Sequence, residues 1–426
     1  MKVAIIGGGL SGLIAGKILS ESGFEVKVFE SQKDCGGLAA SFSAQGFRLP
    51  IFYHHIFSHD WTTLKVARDL GITDLIKKKI KMGLNFGGRS YPITPASIPF
   101  WDFLSVADRI RFGLLGLQAK MKKDWSDLEG LNAEEWLVKA VGKNVAEKIF
   151  GNLMREKYGL PLSQISASEL AERLGEGEAA GVFYYPKQGM DEVVNRLVKS
   201  IERNGGEVRT NTPVIGAEAN GISGRIIFKE NKSIKGKKIS LPFEEYADII
   251  INTSPIPVFL KMTKGLPAAY AESLKKIKYC RNICIDIGYR ERLGDFYWLN
   301  CFDSAFGGII EHTNLADIYP FKMAWIFKYA PSAQLWNMKD DEIAKLFIAD
   351  AKKIYPNLSA DWYRVFRGEH ASPLYDVEYA KRKPGYETPI KNLFLSGVAL
   401  TYPKIRTMNT ALASGMKTAE IVMEKF

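Results

Sequence analysis

Within the first thirty residues an apolar strand, a glycine turn, a helix and a second strand ending in a carboxylate follow without a break. Val3-Ala4-Ile5-Ile6 runs into Gly7-Gly8-Gly9-Leu10-Ser11-Gly12-Leu13, then a helix-like stretch to about Ser22, then Val26-Lys27-Val28-Phe29-Glu30. This order is that of a dinucleotide-binding βαβ unit. Gly7 permits the tight turn out of the strand. Gly9, lacking Cβ, lets backbone approach a pyrophosphate, and Gly12 lets the helix pack closely on the sheet. The helix N-terminus offers free N–H groups and the positive end of its dipole to phosphate. Glu30, 18 positions after Gly12, stands where a ribose would be met.

A second glycine pair, Gly36-Gly37, follows the acid and is trailed by Leu38. Near the other end, Asn392 to Gly397 reads as a strand running into glycine, and a helix is expected from near Asn409. Together these motifs resemble the flavoprotein superfamily of amine oxidases, protoporphyrinogen oxidases and phytoene desaturases, most of all its protoporphyrinogen-oxidase-like branch. The resemblance implies FAD, and a non-covalent link is expected because, except for Cys35, the cysteines lie away from the expected flavin segments. The resemblance also implies a cofactor site at Gly7, Gly9, Leu10, Ser11, Gly12, Glu30, Ser31, Gly36, Gly37, Leu38, Val214, Thr253, Gly397, Met408, Asn409 and Ala411. Two positions depart from the family pattern. Leu38 replaces a frequent basic residue, and Val398 stands where an acid is usual. A helix dipole at the flavin's pyrimidine end would still favour the charge of a reduced flavin.

The implied fold class is α/β: a Rossmann-like FAD-binding domain with an inserted α+β substrate domain, an antiparallel sheet plus a helical lobe. The cofactor segments divide the chain into a discontinuous FAD domain (1–80, 190–255 and 385–426) and a substrate domain (81–189 and 256–384). Periodicity suggests that 81–189 is mostly helical, for example Ala133 to Val141 and Asn144 to Tyr158. In the second insertion, strands are expected over Ile283 to Tyr289 and Met323 to Tyr329, and a helix over Asp340 to Lys353. Pro95 to Lys123 is apolar with a basic edge. It reads either as a membrane-surface element or, the favoured reading, as a lobe with its own core, since its apolar residues do not look continuous on one face and Asp102, Asp108 and Asp124 would oppose an anionic surface.

Composition narrows the function classes. The 426 residues are 46% hydrophobic and 25% charged, an ordinary globular balance that allows large cores. No apolar run reaches the ~20 residues of a membrane span, and the N-terminal apolar stretch is too short for an export signal, which points to a cytoplasmic, possibly membrane-associated protein. Cys35, Cys280, Cys284 and Cys301 have neither disulfide nor metal spacing, so free thiols are expected and no metal. The net charge of +11 suits an acidic substrate or an anionic surface; no nucleic-acid motif accompanies it, and Lys229 to Lys238 reads as a solvated hairpin tip.

At Gly46 to Phe57 the chain resembles the stretch that crosses the reactive face of the flavin, and His54 and His55 fall there as catalytic candidates. Arg281, Glu311, His312, Tyr402 and Arg406 are further polar candidates. The resemblance implies oxidation or desaturation of a small, acidic or apolar substrate by hydride transfer to flavin N5, with oxygen, a quinone or another carrier as acceptor. Tyr53 to Ala67 also resembles UDP-galactopyranose mutase, for which Arg48, Arg281 and Arg406 would be the diphosphate candidates. A third reading is a binding protein on this scaffold, resembling Rab GDP-dissociation inhibitors. The substrate itself has no motif.

Overall fold

The computed structural model describes residues 1–122, 124–176, 181–234 and 237–426, with side chains of 231–239 outside the description. Its organising element is a five-stranded parallel sheet in the order Glu207–Arg209, Glu25–Phe29, Lys2–Ile6, Ile249–Asn252, Leu393–Leu395. Val3 to Ile6 and Ile249 to Asn252 are buried throughout. Such unbroken apolar runs are what a parallel sheet covered on both faces requires. The first helix, Leu10–Glu21, packs between the closing helix Met408–Lys425 and Asp191–Arg203. The closeness of the first contact is written in the sequence: a Cβ at Gly415 would stand 2.2 Å from the Ser11 carbonyl oxygen.

A seven-stranded sheet forms the second layer, in the order Ala360–Pro373, Tyr279–Tyr289, Lys322–Tyr329, Gly308–Glu311, Trp298–Cys301, Met82–Phe86, Arg89–Pro92. Its last two strands were not expected in the stretch 81–189, which is otherwise mostly helical. Met82–Phe86 pairs in parallel with Trp298–Cys301, so the start of the first insertion extends the sheet of the second. Helices occupy much of the stretch from Val106 to Gly175. A small sheet joins Ile56–Phe57 and Leu75–Lys79 to Val182–Pro186, across the boundaries expected near 80 and 190. The hairpin Gly224–Ile234 and Lys237–Ala247 spans most of the basic stretch 229–238, of which residues 235 and 236 lie outside the described residues.

Two local features of the helical lobe were not legible beforehand. The helix expected over 144–158 contains a wider π turn at Ala146–Gly151 before Asn152–Tyr158 resumes α geometry. The helix Val106–Met121 also shows an apolar face to solvent. Val106, Ile110, Leu114, Leu117 and Met121 are 59–76% exposed. At ~100° per residue they share an arc of about 80°. Asp108 turns inward instead, accepting a hydrogen bond from Asn144 at 2.7 Å, and Asp102 is bound by Arg89 and Tyr91. The expectation of a self-contained core is therefore corrected for this face: the apolar residues are continuous, and two of the three aspartates are engaged elsewhere.

Candidate active site

The turn after the first strand is built around missing side chains. Gly7 has φ +107°, and Thr253 Oγ1 donates to the Ile6 and Gly7 carbonyls, 3.0 Å from each. A Cβ at Gly12 would lie 2.1 Å from the Gly7 oxygen. The second glycine pair is tied to the first by the Gly36 N–H, which donates to the Gly8 carbonyl at 2.8 Å. Between the two loops runs a slot: a Cβ built on Gly9 meets nothing nearer than Gly37 Cα at 4.0 Å. The first helix starts at Gly9 with no side-chain cap and no acid in its first turn, so the amides of Leu10, Ser11 and Gly12 are free of side-chain competition. An uncapped helix N-terminus facing a bare glycine cradle is what the pyrophosphate of a dinucleotide needs, and these residues fit such a group.

Glu30 closes one end of the slot. Its carboxylate accepts from the Gly8 and Gln32 amides, both at 2.8 Å, and from Ser31 Oγ at 3.1 Å. A carboxylate has about four acceptor sites, so one remains for a ribose hydroxyl. Gly8, which the sequence reading passed over, is required here: a Cβ would lie 2.9 Å from Cys35 Sγ and 3.0 Å from Glu30 Cβ. The Thr212 amide donates to the Glu30 carbonyl at 2.8 Å, which brings the strand beginning at Val214 to the same end. Leu38 lies in the short 3-10 turn Gly37–Ala39.

The closing helix begins at Thr407, whose side chain accepts from the Thr410 amide. Gly397, at φ +123°, donates its N–H to Ser414 Oγ at 2.8 Å. Three assigned residues are used differently from the expectation. The Ser11 hydroxyl donates to the Ala411 carbonyl, so both mark the contact of first and closing helices, and Ser11 can serve a phosphate only through its amide. The Asn409 side chain accepts from the Thr63 amide at 3.0 Å, holding the neighbouring helix Trp61–Asp69.

From Thr407 and Met408 a cavity of about 280 Å³ opens into the molecule. Its wall is mostly apolar and aromatic, drawn from the sheet (Met82, Leu84, Trp298, Phe327), the π turn (Ile149, Phe150) and the outer lobe (Trp101, Phe112). His54 and His55 both reach this wall, but their environments differ. His54 Nδ1 lies 2.8 Å from the Phe52 carbonyl oxygen, which fixes the proton on Nδ1 and leaves Nε2 as an acceptor. Burial, opposed by that hydrogen bond and reinforced by Arg406, lowers its pKa to about 4. His55 stacks on Phe183 and hydrogen-bonds Tyr297 at 3.0 Å; burial and the neighbouring histidines lower its pKa to about 3. Its ring is packing.

Of the other polar candidates only Arg406 lines the cavity. Arg281 stacks on Trp336 and pairs with Glu369, while Arg48 pairs with Asp34 and Asp191. Glu311 accepts from the Leu293 and Gly294 amides, and Tyr402 bonds Ser166. His312 is enclosed by Tyr185, Tyr319 and Trp325. The sequence reading missed Tyr53, Lys157 and Tyr329, which come together with Arg406. The Arg406 Nη2 donates to the Tyr329 hydroxyl at 2.9 Å, Tyr53 Oη is 3.3 Å from the same oxygen, and the Lys157 ammonium lies 3.9 Å from the Tyr329 ring centre. They are spread over four segments and carry no common spacing.

Comparison with known proteins now decides the family. The model of the flavin containing amine oxidoreductases matches residues 10–423. The chain belongs to that family. Among curated proteins it is 23% identical to the 15-cis-phytoene desaturase of Synechococcus elongatus, over 100% of this chain and 96% of that one. Two solved structures share its fold. One is a candidate protoporphyrinogen oxidase from Exiguobacterium sp. 255-15, with a TM-score of 0.77, 16% identity and coverage of 100% and 99% of the two chains. The other is a reduced UDP-galactopyranose mutase, with a TM-score of 0.75, 17% identity and coverage of 99% and 94%. The protein is a flavin-containing oxidoreductase of the amine oxidase family.

Proposed function

We propose that the flavin is FAD, bound without a covalent link, and that the reaction is hydride abstraction from a largely apolar substrate held in the aromatic cavity. One observation carries this reading. The bare slot between Gly9 and Gly37 and the aromatic cavity meet the same closing helix, through Ser11–Ala411 on one side and Thr407–Met408 on the other. When bound, FAD supplies N5 as the hydride acceptor. The first turn of the closing helix provides the positive dipole end for negative charge there. The apolar wall excludes water, and His54, neutral with Nε2 left as an acceptor, is our candidate to accept a hydrogen bond or a proton from the substrate. Non-covalent binding is supported by the thiols. All four cysteines are buried, and burial together with Glu30 pushes Cys35 up to about 12, which removes the thiolate needed for attachment.

The mutase reading is less well supported, because of its three arginine candidates only Arg406 reaches the cavity. For location, no helix among the described residues is long and apolar enough to cross a membrane. The exposed face of Val106–Met121, flanked by Arg109, Arg111 and Lys120, instead suits lying on an anionic membrane surface, with Phe112 on its inner side lining the cavity. The reaction is tested by anaerobic mixing of the flavin-loaded protein with apolar reductants. Bleaching of the flavin, reversed by oxygen or a quinone, is expected. A flavin that reduces with dithionite, turns over a nucleotide sugar and does not reoxidise would favour the mutase.

A further inference from the structure

The cavity has a charge that its apolar wall does not explain. Arg406 and Lys157 both face it, and among the described residues neither has a carboxylate partner. The other charged groups at the cavity are paired: Glu156, which also lines it, with Lys328, and Arg173, a third cation of the lining, with Glu169, which also accepts from Tyr158. Arg406 holds Tyr329 through one Nη, while its Nε is buried without a hydrogen-bond partner. Lys157 rests on the ring of the same tyrosine.

Two cations in an apolar, water-poor space are costly unless an anion meets them. Tyr329 offers a partial answer. Burial raises its pKa, but Arg406, Lys157 and the Tyr53 hydrogen bond outweigh this and hold the hydroxyl below its usual range. Even an ionised Tyr329 would neutralise one cation and leave the other. The remaining positive charge also bears on selectivity, since a protonated amine entering here would meet like charge.

We propose that Arg406 and Lys157, gathered around Tyr329, form an anion-recognition subsite that takes the carboxylate or phosphate head of an otherwise apolar substrate. This deepens the oxidoreductase reading and rests on it only in placing the substrate in this cavity. The aromatic wall holds the body of the molecule, and the subsite fixes which end enters first. Substrates that are cations at neutral pH are excluded, although the family takes its name from amines.

The test is calorimetric titration of the purified protein as isolated, with 4-phenylbutyrate, 4-phenylbutylamine and inorganic pyrophosphate as probes. The carboxylate should bind at least about tenfold more tightly than the amine, the size of one lost charge-assisted hydrogen bond. Lys157→Gln and Arg406→Gln should each weaken the anion by about tenfold and leave amine binding unchanged or improved. Arg406→Lys should recover part of the loss. Pyrophosphate binding that surpasses the carboxylate, with the same sensitivity to both variants, would assign the head as phosphate. Equal or tighter binding of the amine, or anion binding indifferent to Lys157→Gln, would overturn the subsite. Should Arg406→Gln fail to fold, Lys157→Gln decides alone. Flavin content is read separately from absorbance, so failure of the flavin reading is distinguishable from failure of the subsite.

Discussion

Replacing Gly9 with valine separates the cofactor slot from the fold that surrounds it. Gly9 has φ −74° and ψ 174°, an extended conformation open to any residue, and a Cβ there stays 4.0 Å from its nearest neighbour, Gly37 Cα. The apoprotein should therefore lose only the N-cap preference of glycine, a few tenths to about 1 kcal/mol. The valine methyls, however, fill the space through which phosphate oxygens would reach the amides at about 2.9 Å. Losing two charge-assisted hydrogen bonds of roughly 1.5–3 kcal/mol each predicts a fall in FAD affinity of two to four orders of magnitude. FAD fluorescence titration of the apoprotein reads the affinity, and urea unfolding reads the stability. Gly12→Ala is the contrast: its Cβ would sit 2.1 Å from the Gly7 oxygen, so the fold itself should suffer by 2 kcal/mol or more. FAD binding to Gly9→Val within about threefold of the parent would refute the placement of the pyrophosphate.

Three further outcomes are expected. His54→Ala should lower turnover about a hundredfold or more while flavin content holds; parallel loss of both would make the residue structural. His312 is fully buried with both ring nitrogens unpartnered, and burial lowers its pKa from 6.5 to about 3. Below pH 6.5 the unfolded chain binds a proton that the folded one refuses, so stability is lost as pH falls toward 3, on the order of 2 kcal/mol by pH 5. His312→Phe should remove that share of the slope and leave those of His54 and His55, and urea midpoints at pH 7 and pH 5 that shift equally in parent and variant would contradict it. Leu114→Glu combined with Leu117→Glu should weaken sedimentation with phosphatidylserine vesicles about a hundredfold. An unchanged bound fraction would remove the membrane reading.

The cofactor half of the molecule was legible because its requirements are local. A turn with positive φ at Gly7, a bare approach at Gly9 and a close contact at Gly12 each dictate one residue type at one spacing. The substrate half imposes no such rule. An aromatic wall tolerates many residues, so Trp101, Phe150 and Trp298 carry no signature, and the Lys157–Tyr329–Arg406 group is assembled only by tertiary packing. Where the reading went astray, the cause was local too. Asp108 looked like a charge on the membrane-facing side until the helix turned it toward Asn144, and the hairpin Met82–Pro92 was outweighed by the helical pattern that follows it. Ser11 and Asn409 are polar residues at the right places whose side chains bind protein rather than cofactor.

The most direct test of the central claim is to release and identify the bound cofactor from the purified protein, alongside its visible spectrum before and after anaerobic dithionite. FAD is expected, released by denaturation alone, at close to one per chain after reconstitution, with flavin bands that bleach on reduction. A protein that takes up no FAD on reconstitution, or whose flavin stays with the polypeptide after denaturation, would contradict it.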